Sequence, residues 1–418
     1  MKLRLHRTAK GFSAMTEVVE LDSDFLREPY RLYALLREEA PVCVAELPDG
    51  ERLWLVTRYE DVRAALTDPA IGKDSDEIMR IAQAGGMTDP LGGSLRTHML
   101  NSDPPDHTRL RKLVSKVFTA RAVERLRPRI IEIADELIAA VAAKDEIDLL
   151  AEFAYPLPLT VICELLGVAT DDRDDFRQWS YAITGTTGNY RNFRAAAAKM
   201  AAYLTASVAQ KRARPRADLL SQLVHARDGG DGLSERELVS TAFLLLFAGH
   251  ETTVNLIASG ISALLRHPDQ LAALRADRAL LPGAIEEFLR YESPVNITSS
   301  RYTKKATRIG GVDIPADEFI VVALASANRD GTRFADPDTV EITRQPKGHV
   351  AFGYGVHYCL GAPLARLEAE IAFDRLLSAF PHLAPAVPAD QLVWRESAHI
   401  RGLTALPVRL RRAPEREQ

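Results

Sequence analysis

The chain has 418 residues, of which 46% are hydrophobic and 26% are charged, and its formal net charge is −4. This composition supports a large buried core, and it argues against an acidic disordered chain and against a nucleic-acid-binding protein. Three cysteines without a Cys-x-x-Cys pair cannot form a disulfide framework, so we expect a reducing, cytoplasmic setting. No apolar run approaches the roughly 20 residues of a membrane span, and the basic start lacks the apolar core of a secretory signal.

The first predicted elements are a helix and two strands. Apolar residues at helical spacing predict a helix over residues 22–40, and alternating patterns predict strands at 42–47 and 53–57. Residues 71–93 contain two Gly-Gly pairs and little periodicity, which indicates a long mobile loop. A loop of this length usually has a function.

Helices dominate the middle of the chain. We predict several of them between residues 103 and 212, with a flexible, lid-like stretch at 185–190. Ser234 and Glu237 form a capping box before a helical pattern that Pro268 ends. That helix has about 30 residues, enough to cross the whole domain.

Strand patterns return late, and we expect the sheets to be small and peripheral. The patterns lie at 298–303, 306–314 with a Gly-Gly hairpin turn, 319–324 and 393–408. No repeat or linker divides the chain. The sequence therefore predicts a mainly α fold with small β-sheets, with one domain over residues 21–412 between flexible segments at 1–20 and 413–418.

The stretch AFGYGVHYCLGAPLAR, residues 351–366, carries the densest signal for chemistry. Cys359 precedes a predicted helix that runs to about residue 380, where the helix dipole and free N–H groups favour a thiolate with a lowered pKa. Gly353, Gly355 and Gly361 would let a flat ligand approach the backbone. The alternative is an inert, buried cysteine in a glycine-rich turn. The spacing does not match a dinucleotide or phosphate-binding loop.

A second group, AGHETT at residues 248–253, places an acid and a hydroxyl within the otherwise apolar central helix. The alternative to a functional role is that Thr252 bonds to its own helix and that Glu251 is solvated.

Two further pairs are weaker on their own. Glu287 and Arg290 have the spacing of a helical ion pair, although Glu286 could equally pair with Arg290. His107 and Arg111 lie four residues apart, so they share a helix face and suit an anionic ligand, unless that face is simply solvated.

The pattern F-G-x-G-x-H-x-C-x-G-x-x-L-A-R resembles the haem-binding loop of the cytochrome P-450 family at every specified position. The resemblance extends over nearly the whole chain, from REPYRLYALLREEAP to RGLTALPVRL. It implies the cytochrome P-450 fold, a mostly helical prism around a b-type haem (iron protoporphyrin IX). The implied reaction is monooxygenation with O2, in which a thiolate ligand favours O–O cleavage.

By this resemblance each motif acquires a role. Cys359 is the iron ligand, and Phe352 packs beside its loop. Ala248 and Gly249 leave room for dioxygen, while Glu251 and Thr252 hold water and relay protons. Glu287 and Arg290 form a structural E-x-x-R motif, whose usual third partner is replaced by Thr339. The haem propionates contact His107, Arg111, Arg301 and His357.

The resemblance also implies partners. Because no flavin or nicotinamide motif is present, electrons must come from outside. We expect a ferredoxin with a separate NAD(P)H-dependent reductase, docking beside Cys359 near Arg109, Lys112, Lys347 and Arg366. We expect a monomer and a bulky, largely apolar substrate such as a macrolide, another secondary metabolite, a steroid or a secosteroid. The candidate substrate contacts, each of which could equally be core packing, are Met87, Leu91, Leu244, Leu245, Ala248, Val295, Ile297 and Ile400.

Three alternatives stay open at this point. The chain could bind haem without oxygenase activity, as a carrier or sensor, although Glu251 and Thr252 argue against this. It could use haem with peroxide instead of a redox partner. It could also bind no haem, with Cys359 structural like Cys43 and Cys163, which we expect in the core.

Overall fold

The structure is a computed structural model that describes residues 5–6, 18–48, 50–84, 95–184, 190–226, 230–345 and 347–411. Its α-helices are, in chain order, α1 Ser23–Arg27, α2 Tyr30–Glu39, α3 Tyr59–Thr67, α4 Ser75–Ala84, α5 Asp106–Val117, α6 Ala120–Glu124, α7 Arg127–Val141, α8 Pro156–Leu166, α9 Arg173–Thr184, α10 Tyr190–Ala213, α11 Leu219–His225, α12 Glu235–Arg266, α13 Pro268–Ala276, α14 Leu281–Tyr291, α15 Leu324–Ala327 and α16 Ala362–Ala379. A π-helical turn, Leu150–Ala154, precedes α8.

The strands form three sheets. They are β1 Leu5–His6, β2 Val18–Glu20, β3 Val42–Glu46, β4 Arg52–Val56, β5 Ile71–Gly72, β6 Glu146–Asp148, β7 Arg301–Thr303, β8 Thr307–Ile309, β9 Val312–Ile314, β10 Phe319–Val322, β11 Ala384–Pro385 and β12 Pro407–Arg409. The largest sheet has the order β1-β2-β3-β4-β10-β7-β5, in which β10 runs parallel to β4 with Val321 opposite Leu55. The others are β11-β12-β6 and the hairpin β8-β9.

The long helix α12 lies at the centre of the main core. Its start is the predicted capping box, in which Ser234 Oγ accepts from the Glu237 N–H at 3.3 Å and Glu237 accepts from the Ser234 N–H at 2.8 Å. Helices α8, α10, α14 and α16 pack against it. By length and composition α12 could cross a membrane, but 72% of its apolar window is buried within the protein, as in a core helix.

Two expectations about the elements were wrong. Residues 71–93 contain β5 and α4 instead of a continuous loop, because Ile71 pairs with Thr303 on β7; residues 85–94 lie outside the described part. Within the N-terminal stretch predicted to be flexible, Val18–Glu20 forms a strand beside β3. The sheets are small, as predicted, because their strands have only two to five residues, although the largest sheet joins seven of them. The Gly310-Gly311 hairpin is confirmed, with φ values of +54° and +84°.

Candidate functional site

Cys359 lies in a tight loop just before α16. Its N–H donates to the Phe352 carbonyl at 2.9 Å, and Gly353, at φ +71°, donates to the Val350 carbonyl at 2.8 Å. Cys359 is exposed, whereas Cys43 and Cys163 are buried, as predicted. Cys359 is therefore the one thiol that an external ligand can reach.

Two opposing effects act on the Cys359 thiol. It is accessible yet surrounded by protein, so desolvation raises its pKa, while the N–H groups of Gly361 and Ala362 and the charge of Arg111 lower it. Desolvation is the larger effect, so the expectation of a lowered pKa was wrong for the protein alone. The groups that favour a thiolate are nevertheless in place, and a bound metal cation would add to them.

Gly355 is required by protein packing. Its φ is +75°, and a Cβ there would come within 3.0 Å of the Leu66 carbonyl on α3. This contact is a reason for the glycine in addition to the predicted room for a flat ligand.

An accessible strip interrupts the buried surface of α12. Leu245, Ala248, Gly249 and Thr252 are exposed or half-buried, and their spacing places them on one helix face. Thr252 Oγ1 donates to the Ala248 carbonyl at 2.9 Å, which is the bond to its own helix considered above. This strip can face a ligand. The Thr252 hydroxyl could donate to such a ligand only after releasing the Ala248 carbonyl.

Glu251 is buried and forms an ion pair with Arg395, so the alternative of a solvated acid was wrong. His250 Nε2 lies 3.7 Å from the same carboxylate and 2.9 Å from Ser180 Oγ. Both Glu251 and Arg395 line a cavity of about 780 Å³, together with Asp174 on α9. Arg395 was missed from the sequence because it lies in a C-terminal hairpin more than 140 residues from the motif.

The predicted anion-binding residues come together. The His107 and His357 rings are 4.3 Å apart, and Arg111 donates to the Tyr358 carbonyl at 2.6 Å. Burial and neighbouring cations lower the pKa of His357 to about 2. Burial also lowers the pKa of Arg301 to about 10.

These side chains fit the edge of a dianionic porphyrin. Both ring nitrogens of His107 and the Nε of Arg301 are buried without a hydrogen-bond partner in the described structure. Buried polar groups of this kind are normally satisfied, and propionate oxygens would satisfy them. The accessible Cys359 supplies the thiolate such a group needs. The donor set therefore fits an iron porphyrin.

The E-x-x-R pair is completely buried. Arg290 donates to both Glu287 oxygens at 2.7 Å, and also to the Thr339 carbonyl at 2.9 Å. Arg344 Nε donates to Glu287 at 3.2 Å, so the third partner is present five residues after Thr339. The side chain of Arg344 therefore supplies the third contact, which the sequence had assigned to the position of Thr339.

Glu286 is not an alternative partner of Arg290. It binds both Arg366, at 2.5 and 2.8 Å, and His349 Nε2, at 3.0 Å, and these contacts hold its pKa at about 2 against the effect of burial.

The candidate substrate contacts divide by accessibility. Leu245, Ala248, Val295 and Ile400 are exposed or half-buried, and Val295 and Ile400 form a β-bridge. Leu244 and Ile297 are buried in hydrophobic cores, which favours the packing interpretation for these two. Met87 and Leu91 lie outside the described residues.

Arg109 and Arg366, which were expected to meet a redox partner, form ion pairs within the chain. Arg109 pairs with Glu237 and Asp231, and Arg366 pairs with Glu286. Lys112 and Lys347 are exposed.

The chain is similar to known proteins in sequence and in fold. The family model for cytochrome P-450 matches residues 174–392. The chain is 52% identical to cytochrome P-450 107B1 of Saccharopolyspora erythraea, over 94% of this chain and 98% of that one. It is 47% identical to the vitamin D(3) 25-hydroxylase of Pseudonocardia autotrophica, over 92% and 94%. The tirandamycin C-bound P-450 monooxygenase TamI superposes with a TM-score of 0.89 at 49% identity, covering 94% of this chain and all of that one.

Proposed function

Because this chain belongs to the cytochrome P-450 family, whose monooxygenases bind haem b and use O2 and redox partners, we propose that it oxidises a bulky, largely apolar polyketide or secosteroid. The expected reaction is hydroxylation or epoxidation, with electrons from a ferredoxin and its NAD(P)H-dependent reductase. The observation that carries the proposal is the accessible Cys359 thiol beside a buried cluster of anion-binding side chains.

Haem, when bound, supplies the reductive activation of O2 and the transfer of one oxygen atom to the substrate. Cys359 Sγ would bind the iron, and the N–H groups of Gly361 and Ala362 would stabilise its negative charge. The porphyrin would be oriented through its propionates by His107, Arg111, Arg301 and His357. The small side chain of Ala248 leaves room beside the accessible strip of α12, whereas a Cβ at Gly249 would come within 3.2 Å of Ile162 on α8.

The proton relay is assigned to Thr252 and Glu251. Thr252 Oγ1 leaves the Ala248 carbonyl and donates its proton towards the ligand side of α12. After separating from Arg395, the Glu251 carboxylate takes up a proton supplied by solvent through the 780 Å³ cavity and passes it to Thr252, which has given up its own. The half-buried Thr252 can thus be resupplied from a cavity that Glu251 borders.

The first test is the spectrum of the dithionite-reduced protein under carbon monoxide. We expect the long-wavelength Soret band of thiolate-ligated haem, lost in Cys359→Ala and kept in the buried control Cys163→Ala. A folded protein that stays colourless when supplied with haem would contradict the proposed function from Cys359 outward.

The substrate class is tested by binding. Vitamin D3 and tirandamycin C, the compounds named for two relatives, are each titrated against the ferric protein. We expect at least one to shift the Soret band, because the accessible α12 strip offers apolar contacts at Leu245 and Ala248. If a small polar compound bound as tightly as these two, that result would contradict the proposal of a bulky, apolar substrate.

The redox partner is tested by charge reversal. Lys112→Glu and Lys347→Glu should each slow reduction by an acidic ferredoxin several-fold at low salt, with the control Lys305→Glu unchanged. The comparison is repeated with hydrogen peroxide in place of the partner. Equal reduction rates in all variants would contradict docking on the Cys359 side, and full activity with peroxide but none with ferredoxin would favour a peroxide-driven enzyme.

A further inference from the structure

Two buried side chains that no motif contains lie beside the predicted propionate contacts. Lys73 follows β5, and His98 precedes a short 3-10 turn; they are 3% and 4% exposed. Lys73 is near enough to His357 and His98 for its charge to lower the pKa of both. The anion-binding cluster is therefore larger than the sequence indicated.

Backbone pairing fixes Lys73 in this cluster. Strand β5 pairs with β7, which carries Arg301, and Ser299 lies just before β7. The Lys73 N–H donates to Asp103 Oδ1 at 3.0 Å, and its ammonium donates to Ser299 Oγ at 2.7 Å. An ammonium has three donors, so Ser299 accounts for one of them.

The charges in the cluster do not balance within the described residues. Asp103 is the carboxylate near both Lys73 and Arg301, but its ion pair is with Lys304, at 2.9 Å. Arg111 faces the Cys359 loop. Lys73 and Arg301 remain as two buried cations with no carboxylate within ion-pair distance, an arrangement that is costly without an anion.

We propose that Lys73 binds a haem propionate, beside Arg301 and the other predicted propionate contacts. This inference rests on haem binding in the proposed function. Lys73 and Arg301 are buried with no carboxylate within ion-pair distance among the described residues, and each would supply charge-assisted hydrogen bonds to a propionate. Lys73 is then a cofactor-binding residue that the sequence motifs do not include.

The proposal makes haem retention depend on pH. Burial and the charge of Arg301 lower the pKa of Lys73 to about 7, and Asp103 opposes them. A bound propionate would raise this pKa, so haem should be held firmly near pH 6 and released faster as the ammonium loses its proton at alkaline pH. The charged and titratable groups facing Lys73 are Asp103, Arg301, His98 and His357, with Lys304 and Tyr302 on the neighbouring strand.

The test measures transfer of haem from the ferric holoprotein to excess apomyoglobin. At pH 6, Lys73→Met should release haem about tenfold faster than the wild type, the loss of one hydrogen bond to a charged group. The control Lys305→Met, an exposed lysine on the same segment, should stay within about twofold. Lys73→Arg keeps the charge and should restore retention in part.

The pH profile separates a contact with the cofactor from a structural role. The wild-type rate should rise between pH 7 and pH 10, and that rise should be weaker in Lys73→Met. Release rates and profiles indistinguishable from wild type, in a Lys73→Met protein that keeps its carbon monoxide spectrum, would overturn the inference. The proposed function would survive that result, and it would fail only if the wild type bound no haem through Cys359.

Discussion

At the scale of single residues, burial decides which groups carry charge. His250 on α12 is fully buried between Ser180 and the Leu246 carbonyl, and desolvation, with the charge of Arg395, lowers its pKa to about 4. In the unfolded chain His250 takes up a proton near pH 6.5, whereas in the folded protein it stays neutral until about pH 4. The folded state therefore loses stability as pH falls from about 6.5 towards 4.

Replacing His250 should remove that pH dependence. Between pH 8 and pH 5 the wild type should lose about 2 kcal/mol of unfolding free energy more than His250→Gln, because only the histidine gains a proton on unfolding. Urea denaturation at the two pH values measures this difference. The exposed control His382→Gln should follow the wild type, and equal pH slopes for all three proteins would rule out a neutral buried His250.

At the scale of elements, one network joins α14 to the segment before the Cys359 loop. Glu287 accepts from Arg290, from Arg344 and from the Glu341 N–H, and Arg290 also donates to the Asn328 and Pro337 carbonyls. This segment leads into the loop that presents Cys359. The network thus orients the thiol indirectly, although none of its members is adjacent to Cys359 in the chain.

Removing one partner from this network should strongly lower the stability of the folded protein. Glu287→Gln removes the negative charge that pairs with the buried Arg290, so we expect a loss of about 3–5 kcal/mol of unfolding free energy. Thr339→Ala, which keeps the carbonyl that Arg290 uses, should cost less than about 1 kcal/mol. Thermal unfolding of both variants measures the contrast, and a large effect of Thr339→Ala would mean that its side chain, not Arg344, is the third partner.

At the scale of the whole molecule, the C-terminal hairpin meets the middle of α12. The Arg395 N–H donates to the Gly402 carbonyl at 2.9 Å, and Trp394 pairs with Leu403 across the hairpin. A Cβ at Gly402 would overlap the buried side-chain amide of Asn255, so a larger residue here would force Asn255 to move. This packing places Arg395 against Glu251 and closes one side of the 780 Å³ cavity.

Removing the Arg395 charge should disturb proton delivery without removing haem. In Arg395→Gln the buried Glu251 loses its cation, which should raise the pKa of its carboxyl and weaken it as a proton donor. We expect several-fold more NAD(P)H consumed per product and a larger solvent isotope effect, with an unchanged carbon monoxide spectrum. Glu396→Gln, on the same cavity, is the control, and an Arg395→Gln enzyme with wild-type coupling and isotope effect would contradict the relay through Glu251.

The sequence by itself determined the helices and strands whose patterns involve neighbouring residues, and also the loop whose functional residues follow one another in the chain. The capping box predicted the start of α12, alternating residues predicted β3 and β4, and the residues around Cys359 predicted the haem-thiolate site, all from neighbours in the chain. Only the tertiary structure decided that Arg395 pairs with Glu251, that Arg344 completes the Glu287 network and that Lys73 joins the anion-binding cluster. Those partners are separated by tens to hundreds of residues, and their pairing depends on strand register and helix packing, which no local pattern encodes.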